Sequence, residues 1–409
     1  MFNKINQLNM FNEFYFSESE QSIQIEEENK DKNNKNIEDN NGSEFTENKE
    51  NKNEKKKLPT IGTMKRLEIK YNSEVECFSS LNNQKYLVLG LKSGKIEILE
   101  IIQEDNFKKK LKIKEFDNEI RFICVLDINL FAATDGKIDI KIIKLINNIK
   151  NYIVIQTINL NDDIEFIYTM INLPISFYNN NNKYNFCIGE ENHILIWESN
   201  KQSKNDDNKE KKTKIASFPL EENEKNKLEK KSNNKEETLY FTLIKDIELN
   251  TLTHCIIEVN EKYIAAACPK EKTIKFFSSQ NNFKQIAEVK NIPASSGSSI
   301  LSMLYRKNIL IVGCINGFCF ISTKDFTYIK NFNCNYVITF LKVLSESEII
   351  CCCSEKNNNI IKHYIIDENS LDLKKSSERN AHNNEIWHLK IINNSIFFIT
   401  NNKDINYYK

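Results

Sequence analysis

The chain has 409 residues, in which 57 lysines and arginines balance 57 aspartates and glutamates, so its formal net charge is zero. At about 150 residues per domain, this length corresponds to two or three domains. A neutral chain has no overall field that would attract a polyanion, which argues against a protein that binds nucleic acid or anionic membranes. The 60 asparagines, against only 9 glycines and 4 arginines, indicate AT-rich codon usage rather than a particular chemistry.

The cysteines and the first residues indicate the compartment. Eleven cysteines would suit a disulfide framework only in a small secreted chain. Residues 1–13 contain no apolar signal-peptide core and no arginine-rich transit pattern, and no run of about 18 apolar residues follows. We therefore expect a reduced intracellular location, cytoplasmic or alternatively nuclear, with cysteines that serve as small buried hydrophobic residues.

Two segments of low complexity stand apart from the rest. Residues 1–60 hold 9 lysines and 13 acidic residues, a charge of about −4, and are predicted to be a disordered tail. An aromatic cluster at residues 11–16 is either a short binding motif or an ordinary part of that tail. Residues 201–238, with 11 lysines and 9 acidic residues, are predicted to be a flexible insertion.

The remaining residues, about 309, form short runs rich in Ile, Val, Phe and Tyr between polar turns, a pattern typical of β-strands. A strand–turn–strand element recurs seven times, at residues 86–99, 130–140, 184–197, 263–277, 309–321, 348–366 and 396–408. The repeat is therefore about 44 residues long, with four strands in each unit. This period is typical of a β-propeller.

Three of these repeats resemble the WD-repeat family. The segment from Glu271 to Phe277, Glu-Lys-Thr-Ile-Lys-Phe-Phe, is similar to the family's Asp-Lys-Thr-Ile-Lys-Val-Trp ending. Trp197-Glu198 resembles the "WD" dipeptide, and Ala381-His382 resembles the "GH" that begins a repeat. The resemblance extends over residues 64–409 except the insertion. It implies an all-β, seven-bladed propeller of four-stranded antiparallel blades over residues 61–409.

The resemblance also assigns structural positions. In the family, an acid in the turn between the second and third strands accepts hydrogen bonds; the matching residues here are Ser93, Asp135, Glu191, Glu271, Asn316, Asn358 and Asn402. The family's Trp position corresponds to Leu99, Lys141, Trp197, Phe277, Ser322, Tyr364 and Tyr408. Blades 2 and 5 are therefore expected to lack the usual polar network. His382 is expected to anchor its strand, which also contains Trp387.

The seventh repeat has only three strands before the chain reaches Lys409. The segment from Met64 to Tyr71 has apolar residues at alternate positions and belongs to no blade. It is predicted to supply the outer strand of the seventh blade and so to close the ring, since an unpaired edge would be a liability.

In the family's arrangement, the loops before the inner strands and the turns between second and third strands share one face, which we call the top face. Its candidate partner contacts are Glu74, Glu119, Asp162, Asp163, Lys270, Lys272 and Glu385. The tail and the 201–238 insertion are expected on the opposite, bottom face. There they either tether a partner or have no function and have accumulated where insertions cost little stability.

Nothing in the sequence predicts catalytic, cofactor-binding or metal-binding residues. Cys351, Cys352 and Cys353 are consecutive in a strand, so they alternate between its faces and cannot share one ion; the same holds for His254 and Cys255. Neither a G-x-S-x-G elbow nor a P-loop, dinucleotide fingerprint or H-E-x-x-H motif occurs.

We therefore expect a non-catalytic protein–protein interaction scaffold, a monomeric propeller within a larger intracellular complex, with nucleic acid an unexpected partner. The alternative is a propeller subunit of an RNA-processing or ribosome-assembly particle. A propeller hydrolase is the least favoured of the three functions. Fold analogy alone does not choose among these roles.

Overall fold

The structure, a computed structural model, describes residues 65–66, 73–103, 106–137, 139–160, 166–173, 183–202, 238–292, 300–334, 336–355, 358–380, 386–393, 395–400 and 405–408. Residues 1–60, predicted to be a disordered tail, and residues 203–237 of the predicted insertion lie outside this description. Among the described residues, no helix is long and apolar enough to cross a membrane.

The described residues form 28 β-strands and one short 3₁₀ turn, Ser279–Asn281. In chain order the strands begin with β1 Lys65–Arg66, β2 Val75–Leu81, β3 Tyr86–Leu91, β4 Lys95–Gln103, β5 Asn106–Lys114, β6 Phe122–Asp127, β7 Leu130–Thr134, β8 Asp139–Ile146, β9 Asn151–Asn159, β10 Thr169–Leu173, β11 Asn185–Gly189, β12 His193–Gln202, β13 Thr238–Glu248 and β14 Cys255–Val259. They continue with β15 Tyr263–Cys268, β16 Thr273–Ser278, β17 Lys284–Val289, β18 Ile300–Arg306, β19 Ile309–Cys314, β20 Gly317–Ser322, β21 Thr327–Asn333, β22 Val337–Ser345, β23 Glu348–Glu355, β24 Asn358–Ile366, β25 Leu373–Asn380, β26 Ile386–Ile392, β27 Ser395–Thr400 and β28 Ile405–Tyr408.

These strands form seven four-stranded antiparallel sheets. Blades 1 to 6 each take four consecutive strands, from β2–β5 to β22–β25, and blade 7 combines β26, β27 and β28 with β1. The first strand of each blade contacts the first strand of the next, and β26 contacts β2, so these inner strands surround a central channel. The predicted seven-bladed propeller is confirmed.

The ring closes through the N-terminal strand, as the sequence predicts. In blade 7, Lys65 of β1 lies opposite Tyr407 of β28, and Arg66 lies opposite Asn406. Tyr407 is almost fully buried, and its ring stacks on Phe397 with centroids 5.2 Å apart. Phe107 of blade 1 meets both rings edge-on, which packs the first blade against the last.

Apolar packing between neighbouring blades forms the core. The described residues contain seven buried apolar clusters, and each cluster lies between two adjacent blades. The second strands explain this arrangement, because β3, β7 and β11 are buried at every position and must be covered on both faces. The outer strand β5, by contrast, is mostly exposed.

A β-bulge marks the Trp position of the repeat and corrects two of its assignments. In blades 1 to 6, the pairing of the third and outer strands shifts immediately before one large side chain. The residues that follow the shift are Leu99, Ile143, Trp197, Phe277, Ile321 and Tyr364. The assignments of Lys141 and Ser322 were therefore wrong, because without an aromatic residue the motif alignment slips along the strand. Ile143 and Ile321 are fully buried.

Asparagine replaces glycine in most of the tight turns. Among the described residues, 17 non-glycine residues have positive φ, and nine of them are asparagines. Asparagine tolerates this left-handed conformation better than other residues with a Cβ. Glycine is required at Gly94 and Gly317, where a Cβ would lie 2.1 Å from the carbonyl oxygens of Phe116 and Phe332 respectively. The chain can thus build a turn-rich fold with only 9 glycines.

We expect removal of β1 to destabilise the ring. A chain that begins at residue 73 loses the β1–β28 pairing and exposes the edge of β28, so its free energy of unfolding should fall by about 2 kcal/mol, as lost hydrogen bonds of this kind predict. A chain that begins at residue 61 should unfold like the full chain. Denaturant titration of the three proteins measures this, and equal midpoints would contradict closure through β1.

Burial should also protect the thiols. Nine of the 11 cysteines are buried and two, Cys255 and Cys334, are partly buried. Burial raises the pKa of Cys124 to about 12 and that of Cys334 to about 11. We expect at most Cys255 and Cys334 to react rapidly with a thiol reagent in the native protein, and all 11 to react after denaturation. Rapid native reaction of more thiols would contradict the described packing.

Candidate interaction surface

The top face gathers the loops that connect consecutive blades and the turns between second and third strands. Glu74 lies just before β2, Glu119 before β6, and Lys270 and Lys272 lie in the turn between β15 and β16. Because neighbouring strands are antiparallel, all four residues lie at the same end of their blades. The other candidate contacts, Asp162, Asp163 and Glu385, lie outside the described residues.

Acidic and basic side chains pair on this rim. Glu74 and Lys92 form an ion pair with 2.7 Å between Oε2 and Nζ, and both side chains are about half exposed, at 47% and 48%. Glu119 pairs with Arg121 at 3.0 Å. The Glu74–Lys92 pair is exposed, and a pair of this kind contributes at most about 1 kcal/mol to stability. The two pairs place acidic side chains beside basic ones on the rim of blades 1 and 2.

Lys270 and Lys272 differ in their surroundings. Lys270 is exposed, and together with burial its charge lowers the pKa of His254 to about 4; burial is the larger cause. The His254 ring stacks on Tyr168 of blade 3, with centroids 5.8 Å apart. Lys272 has a φ of +57° and its amide donates to the carbonyl of Pro269, so its backbone forms the turn.

Asp135 orders the top turn of blade 2. Its Oδ1 accepts a hydrogen bond from the Lys137 amide at 3.1 Å, and its Oδ2 accepts one from Nδ2 of Asn118 at 2.9 Å. Asn118 lies in the loop before the inner strand of blade 2. The expectation that blade 2 lacks a polar network was therefore wrong for the turn, because the Asn118 amide and the Lys137 N–H both donate to Asp135. At the Trp position of the repeat, blade 2 has Ile143 in place of an aromatic residue.

The remaining repeat positions vary in their contacts. Glu271 accepts a hydrogen bond from Thr273 and pairs with Lys275 at 2.8 Å, whereas the buried Ser93 hydroxyl has no hydrogen-bond partner among the described atoms. The Trp197 ring stacks on Phe186, and its indole N–H is likewise unpaired. Further positions occur as follows: Glu191 in the β11–β12 turn, Asn316 in the β19–β20 turn, Phe277 in β16, and Trp387 in the backbone of β26. His382 and Asn402 lie outside the described residues.

Two lysines on the inner strands were not predicted from the sequence. Lys342 of β22 and Lys390 of β26 interrupt mostly apolar inner strands, Ile-Thr-Phe-Leu-Lys-Val-Leu and Ile-Trp-His-Leu-Lys-Ile-Ile. Burial lowers the pKa of both ammonium groups; for Lys390, the charge of Lys342 lowers it further, to about 8. A single charged residue in a strand that must lie at the centre of the ring is the signal that could have identified them.

Cysteines and histidines do not converge. Among the described residues, no three His, Cys, Asp or Glu side chains form a group that could hold a metal ion. Cys351 and Cys353 share one face of β23, with their sulfurs 3.3 Å apart, and pack between blades 5 and 6. Cys352 packs on the opposite face, between blades 6 and 7.

Comparisons with known proteins identify the fold alone. No protein-family model matches the chain, and no curated protein matches its sequence. The crystal structure of Sqt1 from Saccharomyces cerevisiae is similar, with a TM-score of 0.57 and 10% sequence identity over 83% of this chain and 84% of that chain. A total of 1309 solved chains match significantly, so the architecture is common and does not select a function.

Removal of the Asp135 carboxylate should loosen blade 2. Asp135→Ala leaves the Asn118 amide and the Lys137 N–H without their acceptor, which should lower the free energy of unfolding by about 2 kcal/mol. Asp135→Asn retains one acceptor oxygen and should cost about half as much. The exposed Asp117 on the same loop provides a control, since Asp117→Ala should change stability by less than about 0.5 kcal/mol. Denaturant titration separates these outcomes, and equal losses for Asp117→Ala and Asp135→Ala would contradict the role of the turn.

Proposed function

We propose that the protein is a non-catalytic protein-interaction scaffold of the WD-repeat type, a monomeric propeller within a larger intracellular complex, and that its top face binds the partner. The observation that carries this proposal is the rim of alternating charge on a closed ring. Because the seven inter-blade clusters hold the blades rigidly, the top loops present fixed side chains at little entropic cost on binding.

Two observations support the WD-repeat type. The Asp135 carboxylate accepts one hydrogen bond from its own turn and one from the loop that precedes its blade, which fits the turn-ordering acid that the family resemblance implies. A large side chain follows a bulge at the same place in six successive blades; five of these side chains are buried and Trp197 is partly buried. These features favour degenerate repeats of that family over an unrelated propeller.

The charge pattern favours a protein partner over RNA. A surface that follows a phosphate backbone concentrates lysine and arginine on one face. On the described part of the top face, Lys92 and Arg121 are instead paired with Glu74 and Glu119. Polar rims with complementary pairs are typical of protein–protein interfaces, where such charges determine partner choice and association rate.

The test compares two matched lysine substitutions at opposite ends of β15. Lys270→Glu changes the charge of the top face, and Lys262→Glu makes the same change on the bottom face of the same blade. The tagged full chain and both variants are purified from cells, and their co-purifying proteins are quantified by mass spectrometry. We expect a reproducible set of partners that Lys270→Glu depletes and Lys262→Glu retains.

Other outcomes contradict the proposal in distinct ways. Depletion by Lys262→Glu alone would move the binding surface to the bottom face. Co-purification of ribosomal RNA that ribonuclease treatment removes would favour the RNA-processing or ribosome-assembly alternative. Recovery of the protein as a lone monomer would contradict a scaffold role.

A further inference from the structure

A cavity of about 100 Å³ lies on the bottom face, between blades 5 and 6. It lies where the turn between β18 and β19 meets the loop between β24 and β25. Its walls are apolar: Ile309, Ile311 and Phe320 come from blade 5, and Ile366 and Leu371 come from blade 6. All five side chains belong to the apolar cluster between these blades or pack against it. The cavity therefore continues the core toward the surface, on the face opposite the candidate contacts of the top rim.

The loop that forms one wall of the cavity is held in a fixed conformation. Leu371 has a φ of +56°, which is unusual for a side chain of this size, and its amide donates to the Asp367 carbonyl at 2.8 Å. The Asp367 carboxylate accepts a hydrogen bond from the Ser370 amide at 2.8 Å. From blade 5, Lys330 pairs with Asp372 at 2.6 Å. Because these contacts form without a ligand, binding in the cavity would order little additional chain.

Charged side chains also line the cavity. Arg306, at the end of β18, has a side chain that is only 10% exposed, and its Nη2 lies 3.2 Å from Oε1 of Glu368. Its Nε is buried and has no hydrogen-bond partner among the described atoms. The neighbouring Lys307 approaches the same Oε1 atom of Glu368 at 2.6 Å. A single carboxylate oxygen is thus shared by two cations.

A second acid near Lys307 offsets this charge only weakly. Oε2 of Glu346 lies 3.5 Å from Nζ of Lys307, but the Glu346 side chain is 90% exposed, so water screens the pair. The wall therefore has an excess of about one positive charge, together with a buried N–H group of Arg306. A buried donor without a partner is costly, and a charged acceptor would form the strongest hydrogen bond with it.

We propose that this cavity binds a branched aliphatic carboxylate. Its aliphatic group lies among the apolar walls, its carboxylate accepts a hydrogen bond from Nε of Arg306, and Lys307 remains paired with Glu368. The volume is about two-thirds of the roughly 150 Å³ cavity that holds benzene, so it suits an aliphatic group of about four carbons rather than an aromatic ring. One carboxylate matches the charge excess, whereas a phosphate would bring nearly two negative charges beside Glu368.

Two sources present this chemistry, a peptide that ends in leucine or isoleucine and a free branched-chain acid. Both place a carboxylate within one or two bonds of a branched aliphatic group. The peptide would give the ring a second interaction site for a protein partner, separate from the top face. The free acid would make the cavity a small-molecule site.

The experiment measures binding of small probes to the full chain by saturation-transfer NMR. The probes are N-acetyl-leucine, its uncharged amide N-acetyl-leucinamide, and acetate, which lacks the aliphatic group. We expect N-acetyl-leucine to bind at least about tenfold more tightly than the amide, since the amide loses a hydrogen bond between charged groups. Acetate should also bind more weakly than N-acetyl-leucine. A six-residue glycine–serine peptide that ends in leucine distinguishes the sources: tighter binding than N-acetyl-leucine indicates a peptide C-terminus, and weaker binding indicates a free acid.

Matched substitutions assign the binding to this cavity. Arg306→Gln removes the charge and should weaken binding of N-acetyl-leucine roughly tenfold or more. Arg379→Gln, on an exposed arginine near the opposite end of β25, is the control and should bind like the unsubstituted protein. Ile309→Phe fills the cavity and leaves Arg306 in place, so it tests the site even if Arg306→Gln does not fold, and it should also weaken binding.

Three results would overturn the proposal. The first is equal binding of N-acetyl-leucine and its amide. The second is undiminished binding by both Arg306→Gln and Ile309→Phe. The third is the absence of saturation transfer from the unsubstituted protein to N-acetyl-leucine and to the leucine-ended peptide.

Discussion

Each blade buries both faces of its sheet against its neighbours, because second strands such as β3 and β7 are buried at every position and carry mostly apolar side chains that cannot face water. A linear row of such blades would leave one apolar face exposed at each end. Closure into a ring removes both ends, and the cluster of Phe107, Phe397 and Tyr407 packs where the first and last blades meet. The two residues of β1 complete the sheet of the last blade.

This closed ring has two consequences for function. The loops of the top face are fixed relative to one another, which makes their alternating charges a defined surface for a partner. The inner strands are also forced toward the centre, so that any charged residue in them is held away from water. Lys342 and Lys390 are in that position; burial lowers the pKa of both, and for Lys390 the charge of Lys342 lowers it further.

The fold was predictable from the chain because seven weak repeats lie in register. Blade boundaries, the seven inner strands and the closing strand followed from the alternation of apolar runs and polar turns. Individual residues were less predictable. Without an aromatic residue, the bulge position in blades 2 and 5 could not be located, and Ile143 and Ile321 replaced the expected Lys141 and Ser322. Asn118, which donates a hydrogen bond to Asp135, has no motif that identifies it.

The sequence by itself determined the class of fold, the number of blades and the way the ring closes, since these depend on periodicity and on burial of apolar strands. It also indicated which loops share the top face, because topology follows from strand order. Only the tertiary structure brought Lys390 of blade 7 against Ser79 of blade 1, because no spacing along the chain reports which side chains of neighbouring inner strands meet.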